Sequence, residues 1–294
     1  MSRKLIVILG PTASGKTDLA IKLAKQFNGE IVSADSRQVY KGMDIGTAKP
    51  TKKQLARVPH YLVDIVTPKE DFNAALYKKL AVKAIKDIQK KGKLPFLVGG
   101  TGLYIRAVVD NLSFLAVPAN KKLRDNLEQE STAKLYMIYK VLDPAGAELI
   151  DKENRRRLIR AVEVCLITAK PFWEQRKQNR PIFDVLQIGI SLSAEKLTAN
   201  NDSRVKKMIK NGLEKEVESL VKAYGGKISA LQTIGYQEWK NKEEAAEKIK
   251  LHTLQFARRQ NTWFKKDKRI VWLPSPDHRL AAKLIKDFLK KENP

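Results

Sequence analysis

Residues 5–17 read Leu5-Ile6-Val7-Ile8-Leu9-Gly10-Pro11-Thr12-Ala13-Ser14-Gly15-Lys16-Thr17, and the order of residue types in that stretch decides the fold. Five apolar residues make a short buried strand, and the next eight match G-x-x-x-x-G-K-[ST] in full. Leu19, Ala20, Leu23 and Ala24 then recur at helical spacing. Strand, glycine loop and helix start in this order build an anion cradle. Glycines let the backbone curl around a polyphosphate, while the loop N–H groups between Gly10 and Thr17, Pro11 having none, and the helix dipole face it. Lys16 adds a point charge, and the Thr17 hydroxyl can ligate Mg²⁺. A polyphosphate ligand follows; which bond is broken does not.

The neighbouring apolar runs narrow the chemistry. Phosphoryl-transfer enzymes of this loop type commonly hold their metal with an aspartate at the end of a second strand. Leu94-Pro95-Phe96-Leu97-Val98 ends instead in Gly99-Gly100-Thr101-Gly102, a second glycine turn. Ile31-Val32-Ser33-Ala34 does end in a carboxylate, Asp35, but Ser36-Arg37-Gln38 follow at once and read as a binding lip. Taken alone, Asp35 is equally a turn former. These features weigh against plain ATP hydrolysis.

The strand and helix signals alternate over the first ~110 residues: strands near 4–9, 30–34 and 94–98, with helices near 16–27 and 73–91. That order predicts a parallel sheet with right-handed crossovers. From 112 to 182 helical spacing takes over, broken at Asp143-Pro144 and Lys170-Pro171. Strand character returns at 185–190 and 269–273, and long helices are expected near 202–224, 243–266 and 278–291. The reading is an α/β protein: a P-loop parallel-sheet core over 1–111 and 183–294, carrying a helical insert at 112–182.

The chain has 57 basic and 32 acidic residues among 294, a net charge of +25. The excess is +11 over residues 1–111, +4 over 112–184 and +10 over 185–294, so it belongs to the fold and not to a tail. Such a charge favours a polyanionic partner, nucleic acid first. One cysteine, Cys165, and three histidines, His60, His252 and His278, rule out a disulfide framework and a Cys/His zinc site. Cys165 lies among apolar residues at core spacing. No secretory signal or membrane span is legible, and a cytoplasmic protein is expected. Trp173, Trp239, Trp263 and Trp272 read as packing residues.

With these pieces placed, the sequence resembles the tRNA dimethylallyltransferases, the tRNA isopentenyltransferase family. The matching blocks are GPTASGKT at 10–17, SADSRQVYKGMDIGTAKP at 33–50, PHYLVDIVTP at 59–68, LVGGTGLYIRA at 97–107, NRRRLIRAVEV at 154–164, TIGYQE at 233–238 and ARRQNTWF at 257–264. The resemblance implies transfer of a dimethylallyl group from its diphosphate to N6 of adenosine 37 in tRNAs that read codons starting with U. Thr12 to Thr17 would hold the diphosphate, with Lys16 neutralising it as it leaves and Thr17 on Mg²⁺. Asp35 would act as general base, and Ser36, Arg37 and Gln38 would extend the tRNA lip. Thr101 would contact the tRNA near the reaction centre, with Arg124 as a further contact. Arg156, Arg157, Leu158, Ile159 and Arg160 would grip the anticodon stem-loop, and Arg204 would reach the diphosphate. A monomer is expected.

The chain departs from the family pattern before Arg204, where Glu195-Lys196-Leu197-Thr198-Ala199-Asn200-Asn201-Asp202 replaces an arginine and tyrosine-containing stretch. Two alternatives stand beside the main reading: an adenylate isopentenyltransferase and a P-loop small-molecule kinase. The arginine-bearing insert argues against both, because a metabolite enzyme has no use for a basic surface of tRNA size.

Overall fold

The computed structural model describes residues 3–175 and 179–291. The chain forms two compact units, one from Met1–Val109 with Pro181–Pro294 and the other Asp110–Arg180.

The first unit opens with β1 (Lys4–Leu9), α1 (Lys16–Gln26), β2 (Gly29–Ala34), α2 (Lys52–Leu55), β3 (His60–Tyr61), α3 (Ala74–Lys90), β4 (Leu94–Gly99) and α4 (Gly102–Val109). The second unit holds α5 (Lys121–Leu127), α6 (Thr132–Leu142), α7 (Pro144–Ala147) and α8 (Arg155–Thr168). The first then resumes with β5 (Asp184–Ile190), α9 (Ala194–Lys210), α10 (Leu213–Tyr224), α11 (Lys242–Phe264), β6 (Ile270–Leu273) and α12 (His278–Lys290).

All six strands run parallel in the order β3-β2-β4-β1-β5-β6. β1 therefore lies inside the sheet, with Ile6 opposite Phe96 of β4 and Leu186 of β5. The period-two alternation of a strand sends its side chains to opposite faces. Ile6 and Ile8 join Leu19, Leu23, Ala281 and Ile285 on one face, while Leu5, Val7 and Leu9 meet Tyr77, Ile85, Ile105 and Val108 on the other. Both faces are covered, which is why β1 is uniformly apolar from Leu5 to Leu9. Each such aliphatic side chain, fully buried, contributes about 1.5–3 kcal/mol. Lys4, at the start of β1, donates its ammonium to the carbonyls of Phe288 (2.7 Å) and Leu289 (3.0 Å), closing the C-terminus of α12.

One expected element differs. The helix predicted over 202–224 is two helices, α9 and α10, divided at Asn211 and Gly212. Gly212 takes a φ of 90°, a left-handed conformation that ends the first helix and starts the second. The earlier start of α9 comes from Ser193, whose side chain accepts the Lys196 N–H as an N-cap. The two-residue β3 gave no sequence signal.

The second unit packs its own core from Leu127, Leu135, Tyr139, Leu158, Ile159, Val162 and Cys165. The Asp143-Pro144 break is a helix start, with Asp143 accepting from the Gly146 N–H (2.8 Å) and the Tyr139 hydroxyl (2.8 Å). Its two ends are clasped together: the Asn111 amide donates to the Arg180 carbonyl (2.8 Å) and the Asn179 amide to the Asn111 carbonyl (3.2 Å).

Candidate active site

The loop after β1 is held in a strained form. Ala13 has a φ of 61°, an uncommon conformation for a residue with a Cβ. Asn200 of α9 donates to the Ala13 carbonyl (3.0 Å), and Gln260 of α11 accepts the Thr12 N–H (2.9 Å). α1 begins at Lys16 with Gly15 as N-cap and no side-chain cap, so its first N–H groups are left for an anion. The Ser14 hydroxyl is buried with no partner in the structure. Lys16 folds back to donate to the Pro11 carbonyl (3.0 Å).

β2 delivers the carboxylate. Asp35 follows Ala34 directly, and its Oδ1 accepts the N–H groups of Arg37 (2.9 Å) and Gln38 (3.4 Å). This is an Asx turn, so the turn-forming reading of Asp35 is true of one oxygen. β4 delivers the other wall. Thr101 donates its N–H to the Ala34 carbonyl (3.1 Å), and its hydroxyl accepts the Ser36 N–H (3.0 Å). The lip is braced through Gln38, which meets Ser33 (3.3 Å) and donates to the Ala48 carbonyl (3.4 Å). Tyr104 of α4, buried, stacks on Tyr77 with centroids 3.9 Å apart and lies within electrostatic reach of Asp35.

The charges of this site bear on one another. Burial of Lys16 pulls its pKa from 10.5 down to about 8; Asp35 opposes that fall and Arg204 adds to it. Burial also lowers Arg204, again with Asp35 opposing. Lys16 and Asp35 follow β1 and β2 at the carboxyl edge of the sheet, where open α/β sheets bind their ligands, and Arg204 lies within electrostatic reach of both. Neither cation makes a salt bridge among the described residues. Two partly desolvated cations with one carboxylate in electrostatic reach are an arrangement that could attract an anion and take up a proton beside it.

In the insert the structure sorts the expected residues differently. Arg156 and Arg157 are exposed on α8. Arg124 and Arg160 are instead turned onto Glu163, which is fully buried. Arg124 makes two bonds of 2.8 Å to the two carboxylate oxygens, and Arg160 makes one of 2.6 Å and another of 2.8 Å to the Val117 carbonyl. Burial alone would push the Glu163 carboxyl up, but the bonds from Arg124, Arg160 and the Asn120 N–H outweigh it and hold the group below its ordinary range. The side chains of Leu158 and Ile159, expected in the tRNA-gripping segment, point away from solvent. They are 0% and 4% exposed, in the insert's own core, because they occupy the inward face of α8. Arg155 is committed to the Glu128 carbonyl (2.6 Å).

Sequence reasoning missed Gln260 and Asn200, the two amides that hold the loop. Gln260 lies inside the ARRQNTWF block, so its position carried a signal and its role did not. Asn200 lies in the stretch that departs from the family pattern, and the hydrogen bond to Ala13 is what that stretch supplies in this chain.

The IPP transferase family model matches residues 38–267. A tRNA dimethylallyltransferase of Acetivibrio thermocellus is 44% identical over 299 residues, covering 97% of this chain and 96% of that protein. One from Roseiflexus is 44% identical over 97% and 98%. Among solved structures, the tRNA isopentenylpyrophosphate transferase of Bacillus halodurans superposes with a TM-score of 0.72 at 34% identity, over 98% of this chain and 99% of that one. A eukaryotic dimethylallyltransferase captured acting on tRNA reaches 0.84 at 28% identity, over 99% and 82%. By its sequence over nearly the whole length and by its fold, the chain belongs to the IPP transferase family.

Proposed function

We propose that the chain transfers a dimethylallyl group from dimethylallyl diphosphate to N6 of adenosine 37 in the anticodon loop of tRNAs reading codons that start with U. The observation that carries the reading is Asp35 within electrostatic reach of both Lys16 and Arg204. The allylic C–O bond breaks as the N6–C bond forms, and its electron pair leaves with the diphosphate. Lys16, Arg204 and the N–H groups at the start of α1 stabilise that leaving charge. The N6 proton passes to Asp35 through Oδ2, while Oδ1 stays held by Arg37 and Gln38. The adenine must be turned out of the loop stack to reach this carboxylate, and Thr101 with Ser36, Arg37 and Gln38 forms the lip it passes. Arg156 and Arg157 on the insert supply phosphate contacts.

The loop fits Mg²⁺ as a companion of the diphosphate. The Thr17 hydroxyl makes no hydrogen bond among the described residues, the Ser14 hydroxyl is buried and unpartnered, and no three acidic, histidine or cysteine side chains among those residues cluster to hold a metal. One hydroxyl plus diphosphate and water oxygens is a donor set that Mg²⁺ accepts. When bound, the ion would offset leaving-group charge. The working unit in this reading is a single chain in the cytoplasm; no described helix is long and apolar enough to cross a membrane.

A kinase reading would place an aspartate where β4 ends in Gly99-Gly100-Thr101-Gly102. The experiment is incubation of unmodified tRNA with labelled dimethylallyl diphosphate, followed by nucleoside analysis. Labelled N6-isopentenyladenosine with equimolar diphosphate and no ATP turnover is expected. ATP turnover with no label in tRNA would overturn the proposal.

A further inference from the structure

α11 carries a buried glutamine whose carboxamide joins the two glycine turns. Gln260 Oε1 accepts the Thr12 N–H of the diphosphate loop (2.9 Å), and Nε2 donates to the Gly100 carbonyl of the second turn (2.8 Å). The residue is 7% exposed, and its amide is used on both sides. Gly100 has no room for a side chain: a Cβ there would stand 2.3 Å from Nε2 and 3.3 Å from the Gly10 carbonyl oxygen. The two turns thus meet backbone against backbone with Gln260 fixing their separation. Helix α11 cannot slide to relax it, because Ala257 and Phe264, one turn to either side, are buried at 1% and 3%.

Beyond Gly100 the connection continues. Thr101 accepts the Ser36 N–H (3.0 Å), and Ser36 follows Asp35 in the chain. A continuous path of hydrogen bonds and peptide links therefore runs from the loop that would hold the donor to the carboxylate that would take the proton. Resting on the transfer reaction above, we propose that Gln260 is a positioning residue: it sets the distance between the diphosphate cradle and Asp35. Glutamine suits the task because it donates and accepts at once. Ionised glutamate cannot donate to Gly100, asparagine is one methylene short, and methionine fills similar volume with neither bond.

The test is single-turnover transfer by the full chain at saturating tRNA and dimethylallyl diphosphate, with dissociation constants for both and a thermal melt. Gln260→Met is expected to fold with a lowered melting temperature, since two backbone groups lose their partner, and to bind both substrates as wild type, yet transfer about 10²-fold more slowly, the effect of a misplacement near 1 Å. Gln260→Glu is expected to be slow at neutral pH and to close on the wild-type rate measured at the same pH as the pH falls, since the protonated acid regains a donor toward Gly100. A Gln260→Met chain that transfers at the wild-type rate overturns the proposal, as does one that loses substrate affinity with an unchanged chemical step. If Gln260→Met fails to fold, Gln260→Glu decides: absence of recovery at low pH overturns it. Wild-type chain that forms no prenylated nucleoside defeats the reaction itself, a result separate from any ratio between variants.

Discussion

Two pairs of cations in this molecule look alike in sequence and differ in what surrounds them. Arg124 and Arg160 of the insert share the buried carboxylate of Glu163, with every short bond made inside the protein. Lys16 and Arg204 of the core have no carboxylate bonded to them among the described residues: Lys16 donates to the Pro11 carbonyl, Asp35 attracts both through space, and burial depresses both. A cation whose counter-charge is built in is part of the scaffold. One that is desolvated with no bonded counter-charge still lacks a neutralising partner, which is what an anion from outside could supply.

The hardest test of that contrast is the carboxylate that leaves the core cations unneutralised. Asp35→Asn keeps the Asx turn through its amide oxygen but removes the base. Single-turnover transfer is expected to fall about 10²- to 10⁴-fold, the usual worth of a positioned base, with tRNA and donor binding little changed. Near wild-type transfer would leave Asp35 with only its turn. Lys16→Ala is expected to slow transfer about 10²- to 10³-fold, as for loss of one group at a leaving oxyanion, while tRNA affinity measured by filter binding holds. A matching fall in tRNA affinity would show that Lys16 serves the polynucleotide and not the diphosphate.

In the insert, Glu163→Gln should act on folding instead. It should cost about 1–3 kcal/mol in a denaturant melt of the full chain, and transfer by the folded fraction should be retained. Loss of transfer with an unchanged melt would break the contrast. The two sites also titrate in opposite senses. Glu163 is held below its ordinary 4.5, so its contribution is present above that value and lost as the pH falls through the lowered one. Lys16 is depressed, so the cost of its buried charge is present below about 8 and relieved as the pH climbs from there toward 10.5. Diphosphate binding needs the charged form. kcat/KM for the donor should therefore decline above pH about 8, approaching tenfold per unit; a flat profile to pH 10 would remove Lys16 protonation from the binding step. The smallest effect is expected at the exposed arginines. Neutralising Arg156 and Arg157 together should reduce the log-log salt slope of tRNA binding by up to ~1.4, at about 0.7 per single-strand phosphate. Because Arg160 is spoken for by Glu163, replacing it should change the melt more than the slope.

The core was legible because its signals are local. Leu5–Leu9, the loop and α1 lie within one run of chain, and β2, β4, β5 and β6 fall within a residue or so of the apolar runs that mark them. Asp35 was legible as a strand-end carboxylate, though composition could not say that Oδ1 would serve the turn. What stayed hidden is long-range pairing. Gln260 meets Thr12 across 248 residues, Asn200 meets Ala13 across 187, and Arg124 meets Glu163 across 39. An arginine on a helix face gives no sign of whether the glutamate three positions on will turn inward to meet it, which is why Arg160 and Arg156 read alike.

The place of β1 in the sheet has a consequence for how the protein is made. Its two neighbours are β4 and β5, and Lys4 pairs with Asp184, 180 positions later. At a ribosomal pace of about 5–20 residues per second, the most apolar strand of the molecule waits roughly ten to forty seconds with one edge unmet. The insert comes off the ribosome during that wait, and in the folded chain its ends meet through Asn111, Asn179 and Arg180. That clasp turns a seventy-residue excursion into a short link between β4 and β5, so the last pairing of β1 closes a far smaller effective loop than the sequence separation suggests. Breaking the clasp at Asn111 should therefore be felt first in the yield of folded chain during synthesis, before any change in the finished enzyme.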